Sequence, residues 1–377
     1  MLGFKKKDKI AGYLLLLFSI TEVMVNYINI DDAYINLIRV SAGLLCGTYA
    51  LYKSSSHIRS VVIKLALFFS MLLIASLISN SNAHFVNILW VWSYIGIALL
   101  IYNHSISVDI AKLILIAYTI VFLVGSVFNK VEASELFTTG SANGVSVLFI
   151  YAISLYYIIK YQNFKNSNMP YLPILLLAFF SIWAANRSGL LTAVILAFGA
   201  FLNNIVFNKS GYNKGKSIIA LLLVCVLIFF ITDNYLGSYS ENMLNKYDRY
   251  GNESVRILIW YEYFNACLNN IEYFLFGAPA SDTKIIHYHF YNGNTHNAFF
   301  MLHAKFGIIG LIFFVYNIFK FILRQIGKGK IYLIVVAAGI ITRGMFDWTS
   351  FPGLHDIFFW LIIMYNYLGD DAKYKIA

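Results

Sequence analysis

The chain has 377 residues, of which 60% are hydrophobic and only 12% charged, and its mean hydropathy is +0.70. Ordinary water-soluble domains carry about 25% charged and roughly 45–50% apolar residues, so this much apolar side chain cannot be enclosed by so few charges in water. The composition excludes a soluble enzyme, a nucleic-acid-binding protein and a disordered chain. The net charge of +10 has meaning only once it is located along the sequence. Cys46, Cys225 and Cys267 show no CxxC spacing and suggest neither a structural zinc nor a disulfide framework.

A hydrocarbon core about 30 Å thick needs ~20 apolar residues per helix. Candidate stretches run from Ile10 to Ile30, Tyr34 to Tyr52, Ile58 to Ile78, Phe85 to Tyr102, Val108 to Phe128, Ala142 to Tyr161, Tyr171 to Ala185, Ser188 to Phe207, Ser217 to Thr232, Asn297 to Leu323, Ile331 to Trp348 and Leu354 to Leu368. The expected fold is all-α, a polytopic membrane bundle of about twelve transmembrane helices forming one integral membrane domain over residues 1–377. The first stretch contains Glu22, lacks an AxA-type cleavage site and leads into further spans, so it reads as an uncleaved helix rather than a secretory signal.

Lys and Arg in short loops are retained in the cytoplasm. They crowd the N-terminus (Lys5, Lys6, Lys7, Lys9) and alternate connections (Lys53 and Arg59; Lys160 and Lys165; Lys209, Lys214 and Lys216; Lys320, Arg324, Lys328 and Lys330; Lys373 and Lys375). The opposite short connections hold only Lys130 and Arg187. Both termini are thus expected in the cytoplasm, and the positive charge is a topology signal rather than a nucleic-acid footprint.

Residues 233–296, Asp233 to His296, form a connection far longer than usual, expected outside the cytoplasm. Within it, Glu253 to Phe276 repeats apolar residues at Ile257, Trp260, Phe264, Cys267, Leu268 and Ile271, steps of three and four that predict an amphipathic helix lying in the outer interface or packed on the bundle. Gly277 and Pro279 should end it. No internal repeat and no GxxxxGK[ST] phosphate loop of an ATP-driven pump is visible.

A charge in the bilayer costs roughly 2.5–3.5 kcal/mol on insertion scales, so each polar residue at membrane depth needs a reason. Lys64 and Lys112 lie near cytoplasmic ends and can snorkel, as can Arg39 near an outer end. Arg187, in Asn186-Arg187-Ser188-Gly189, stands in an outer turn against the topological bias. It is either a helix-end arginine or an anion site, since guanidinium presents a planar fork suited to phosphate and the next helix offers its N-terminal amides. Arg256, one turn before Trp260, either pairs with Glu253 or Trp260 on its own helix or forms a second clamp on the same side. His296-Asn297 stands where the long connection re-enters the membrane, and its imidazole can exchange protons near neutral pH. His287, His289, His296 and Asp282 could alternatively ligate zinc, but their spacing matches no HExxH-type pattern. Arg343 and Asp347, four apart near an outer helix end, should pair with one another.

Asn-Arg-Ser-Gly at 186–189, the Arg256-xxx-Trp260 helix in one long outer loop, the Gly277-Ala278-Pro279 turn, and His296-Asn297 followed by Gly307-Ile-Ile-Gly310 together resemble the O-antigen polymerase and ligase superfamily, bacterial membrane proteins carrying the Wzy-type C-terminal region. The resemblance covers the second half of the chain, with a family-like catalytic region over 186–310, and the first half only as a bundle of spans. It implies a GT-C-like, metal-independent, inverting glycosyl transfer at the outer face of the bacterial cytoplasmic membrane, with no cofactor. A glycan on undecaprenyl pyrophosphate is the implied donor. Arg187 and Arg256 match the arginines that hold the donor pyrophosphate, and His296 the histidine of the loop end. Asn297, Trp260, Glu253 and Asp282 are secondary site candidates. The implied partners are lipid-linked oligosaccharide donor and acceptor, membrane lipids and a chain-length regulator protein, with no nucleic acid.

The chemistry agrees with this. A sugar pyrophosphate is already activated, so two arginines need only stabilise charge growing on the leaving pyrophosphate, while His296 serves as general base for the attacking hydroxyl. The expected function is polymerisation of a surface polysaccharide, the ligase that attaches the chain to lipid A core being the alternative. A flippase or transporter of lipid-linked sugars is an alternative of another class. Transporters place polar residues near the midplane in broken helices and duplicated halves, whereas here such residues gather at one face.

Overall fold

In a computed structural model the described residues are 8–27, 32–79, 83–129, 132–133, 135–136, 143–164, 167–184, 186–207, 255–280, 282, 285, 295–347 and 351–369. Among them no strand occurs, and the helices are α1 (Lys9–Tyr27), α2 (Asp32–Lys53), α3 (Ser56–Ile78), α4 (Phe85–Asn103), α5 (Val108–Leu123), α6 (Asn143–Asn163), α7 (Leu172–Trp183), α8 (Arg187–Leu202), α9 (Val255–Asn269), α10 (Ile271–Phe276), α11 (Ala298–Gly327), α12 (Ile331–Phe346) and α13 (Asp356–Leu368). The last turns of α5 and α8 widen into π-helix at Val124–Phe128 and Asn203–Phe207.

Six of these are long and apolar enough to cross a membrane: α3, α4, α5 with its π turn, α6, α8 and α11. Helices α7, α12 and α13 are apolar but shorter. The protein is therefore a helical membrane protein. The expected crossing at 217–232 lies outside the described residues. Helix α13 starts later than its apolar sequence suggests, because the chain before it enters the bundle without being helical. Phe351 and Leu354 are buried there, and the Asp356 carboxylate accepts from the N–H groups of Phe351 (2.9 Å) and Gly353 (3.2 Å). Irregular backbone at membrane depth is tolerated where protein supplies its hydrogen bonds.

Small residues allow a close crossing of α2 and α4. Gly43 and Gly47 of α2 face Gly96 of α4, where a Cβ on Gly96 would sit 2.5 Å from the Gly47 Cα. Helices in lipid gain from such backbone approach because the solvent is as apolar as their side chains. At the centre, Phe69 of α3 meets Phe306, Phe313 and Phe314 of α11 and the Trp360 ring of α13, the last with centroids 4.8 Å apart.

Both ends of the described chain lie on one face of the bundle. Asp8 donates its N–H to the Ser105 carbonyl and its carboxylate meets His104 Nδ1 at 2.7 Å, while the neighbouring Tyr102 hydroxyl donates to the Gly369 carbonyl. Helices α9 and α10 and the described residues 295–297 lie at the opposite face, tied to the far ends of α3 and α12 by Ser76 to Phe276 (2.7 Å) and Arg256 to Phe346 (2.9 Å).

Two sequence expectations are corrected here. Helix α11 is interrupted at Gly307 (φ 64°, ψ −171°), where the backbone of Leu275 comes too close for any side chain. Nine residues, 298–306, therefore stand apart from the apolar span that follows. The predicted loop helix is two helices, because Asn270 takes an extended conformation (φ −136°) and its side chain caps α10 by accepting from Glu272 N–H. It ends as expected at Gly277, whose φ of 96° and contact with the His303 and Ala304 carbonyls suit glycine.

Candidate functional site

Site candidates from distant parts of the sequence meet at the last turn of α12. Arg343 is fully buried there and donates from Nη2 to Asp347 Oδ2 at 2.9 Å, forming the expected pair. Its Nε donates to the Ser146 hydroxyl of α6 (3.2 Å), and Nη2 reaches the Asn143 carbonyl at 3.5 Å. Asp347 Oδ1 faces His296 Nδ1 at 3.4 Å. Arg256 donates from Nη1 to the Phe346 carbonyl and lies close enough for its charge to act on Arg343. Asn297 donates from Nδ2 to the Met345 carbonyl at 3.1 Å.

Local sequence explains each placement. Asn186 has an extended backbone (φ −100°) and caps α8 by accepting from Gly189 N–H at 2.8 Å, while its amide group donates to Ser146 and to the Asn143 side chain, both at 2.8 Å. Gly189 is required beside it, since a Cβ there would lie 2.5 Å from the Ser181 hydroxyl and 2.8 Å from Ser146 Cβ. Arg187 is thereby fixed as the first residue of α8, with its side chain exposed beside the Asn186–Ser146–Arg343 chain. Asn297 caps α11 by accepting from the N–H groups of Phe299 and Phe300. The preceding His296 is held at φ 50°, a region that non-glycine residues seldom occupy.

Trp260 donates its indole N–H to the Thr295 carbonyl at 2.7 Å, so α9 braces the chain next to His296. Asp282 lies in the turn after α10, where its backbone pairs with Pro279 and Ile285. Glu253, His287 and His289 lie outside the described residues; among those described, no group of three His, Cys, Asp or Glu could hold a metal ion.

The arrangement brings Arg256, His296 and Asn297 to one helix end and reaches Asn186 through Ser146. Sequence reasoning paired Arg343 with Asp347 but did not connect that pair with His296 or Ser146. The available signal was a costly arginine and aspartate placed at membrane depth rather than beyond it. Chemically, the site offers an imidazole beside a buried carboxylate, a second arginine within electrostatic reach of the first, and a helix start carrying a third.

Neither protein-family models nor curated protein sequences match the chain.

Proposed function

We propose that the protein is a bacterial surface-polysaccharide polymerase that transfers a growing glycan from undecaprenyl pyrophosphate to the next lipid-linked repeat unit. The observation that carries this reading is the meeting of His296, Arg256 and the Asn186–Arg187 turn around Arg343 and Asp347 at the face holding α9 and α10.

In this reading the acceptor hydroxyl attacks the anomeric carbon, the bond to the pyrophosphate oxygen breaks, and undecaprenyl pyrophosphate leaves with the electron pair. His296 takes the hydroxyl proton. A hydrogen on Nδ1 directed at Asp347 leaves Nε2 as the acceptor, and Arg343 holds Asp347 in place as a positioning residue. Arg187 and Arg256 stabilise charge as it develops on the leaving group.

The Lys and Arg distribution supports a cytoplasmic location for the face bearing both described ends and an outer location for the site, in the bacterial inner membrane. The described chain reaches the first face at the end of α8 and is on the other at the start of α9. That change of face supports a crossing at 217–232 and the full count of twelve spans. The ligase reading shares this donor chemistry and differs only in its acceptor.

Deleting the gene separates the two in a lipopolysaccharide-bearing host. Loss of a polymerase leaves surface lipid carrying one repeat unit and no ladder. Bare core with lipid-linked polymer accumulating in the membrane would assign the chain to the ligases instead.

A further inference from the structure

Helix α9 carries three faces, one more than a helix packed on a bundle in water requires. At about 100° per residue, Ile259, Tyr263 and Cys267 share one side, and these three are buried against the first turns of α11. Roughly 120° further round stand Ile257, Tyr261, Phe264 and Leu268, which are 56%, 64%, 53% and 62% exposed. Another ~100° on come Glu262, Asn265 and Asn269, the polar side. The apolar stripe expected from the sequence is thus split. Trp260 and Cys267 turn inward, while Ile257, Phe264 and Leu268 turn out.

The position of α9 says what covers the outward stripe. Its first turn is bonded to the far end of α12 through Arg256 and Phe346, and α10, which follows it, is bonded to the far end of α3 through Phe276 and Ser76. The helix therefore lies across the ends of two apolar helices, level with the edge of the bilayer rather than above it. Helix α10 continues the stripe with Ile271, Phe274 and Leu275, all exposed. It sits between α3 and α11, which carry their own exposed rows at Leu67, Met71, Ile74 and Ile78, and at Ile309, Ile312, Tyr316 and Phe319. Helices α3 and α11 are long and apolar enough to cross a membrane, and α10, with its own exposed apolar residues, is packed against both.

We infer that α9 and α10 are seated in the outer-leaflet acyl chains of the bilayer, with Ile257, Tyr261, Phe264 and Leu268 as the buried anchor and Glu262, Asn265 and Asn269 facing water. Bundle, lipid and water each take one side of the helix, as the physics of an interfacial helix requires. The consequence is geometric: Arg256, at the start of α9, is held at the depth of phospholipid phosphates rather than in the aqueous phase. The inference rests on the membrane character of the chain and, for the choice of leaflet, on the Lys and Arg distribution, and is independent of the glycosyl-transfer reading.

The test uses full-length protein in phospholipid vesicles, with Cys225 replaced by serine and a nitroxide attached to cysteine introduced singly at each position. Ile257→Cys, Phe264→Cys and Leu268→Cys should collide several-fold more often with dissolved oxygen than with a water-soluble nickel chelate, as should Met71→Cys on α3. Asn265→Cys and Asn269→Cys should show the reverse. Access of the nickel chelate to the 257, 264 and 268 positions would overturn the inference by placing the stripe in water. Low access for both reagents would overturn it by showing a protein cover, such as a second copy of the chain. Phe264→Trp gives an independent readout: the emission it adds to that of the six native tryptophans, taken as the difference from the parent protein, should be quenched by lipids brominated on their acyl chains, and an unquenched difference would contradict lipid contact.

Discussion

Replacing Asp347 by asparagine keeps the side-chain shape and removes the charge. Arg343 is fully buried and its shortest ionic contact is the 2.9 Å bond to Asp347, so the substitution strands a guanidinium in the bundle. Removing one partner of a buried pair costs about 3–5 kcal/mol. The remaining bonds from Arg343 to Ser146 and the Asn143 carbonyl are with neutral groups and recover only part of this. The double variant Arg343→Leu/Asp347→Leu removes both charges and should be neutral or more stable by roughly 1–4 kcal/mol. Activity behaves differently. Both variants deprive His296 of its carboxylate, and loss of a base-orienting carboxylate lowers turnover by about 10⁴ in a comparable arrangement. Thermal unfolding in nanodiscs and product ladders from membranes expressing each variant at equal levels measure the two effects. A double variant that is stable and still makes full-length ladders would refute the role of Asp347, and an Asp347→Asn variant as stable as the parent would refute the energetic reasoning.

Two further outcomes concern the fold. Gly96→Ala should destabilise by about 1–3 kcal/mol in the same unfolding assay, since its Cβ meets the Gly47 backbone at 2.5 Å; an unchanged midpoint would mean that the α2–α4 crossing is not tight. Burial raises the Asp8 carboxyl, but bonds from Ala11 N–H, His104 and Tyr49 outweigh it and hold the group below the ordinary carboxylate value. Its contribution is therefore complete at neutral pH and lost as pH falls below ~3.9 and through the folded value. Wild type should lose more stability than Asp8→Asn between pH 5 and pH 3, and equal losses would show that these contacts contribute nothing.

The helical membrane architecture was legible because a period of 3.6 and a scarcity of charge leave few other solutions. The starts of α8 and α11 were legible to within a residue from the apolar runs at Ser188 and Asn297, while the capping roles of Asn186 and Asn297 emerged from the structure. The break in α11 was not, because Gly307 within an apolar stretch reads as a tolerated glycine until the α10 backbone is seen pressing on it. The orientation of α9 was misjudged for a related reason. Hydrophobic spacing locates apolar positions around a helix, but it does not distinguish a side chain buried in protein from one buried in lipid, so Trp260 and Phe264 appeared equivalent. At the candidate site, Arg256, His296 and Asn297 were visible as polar residues out of place. Their common attachment to the last turn of α12 depends on contacts across 48 to 90 positions of sequence, which no local pattern encodes.

Purified protein in lipid vesicles, supplied with undecaprenyl-pyrophosphate-linked repeat units and neither ATP nor metal, tests the central claim. A polymerase should produce a ladder of lipid-linked oligomers. Arg187→Lys, Arg256→Lys and His296→Ala, at equal membrane levels, should each abolish the ladder, because an ammonium lacks the guanidinium fork and alanine cannot take the hydroxyl proton. No ladder from the wild-type protein, or an undiminished ladder from all three variants, would contradict that claim.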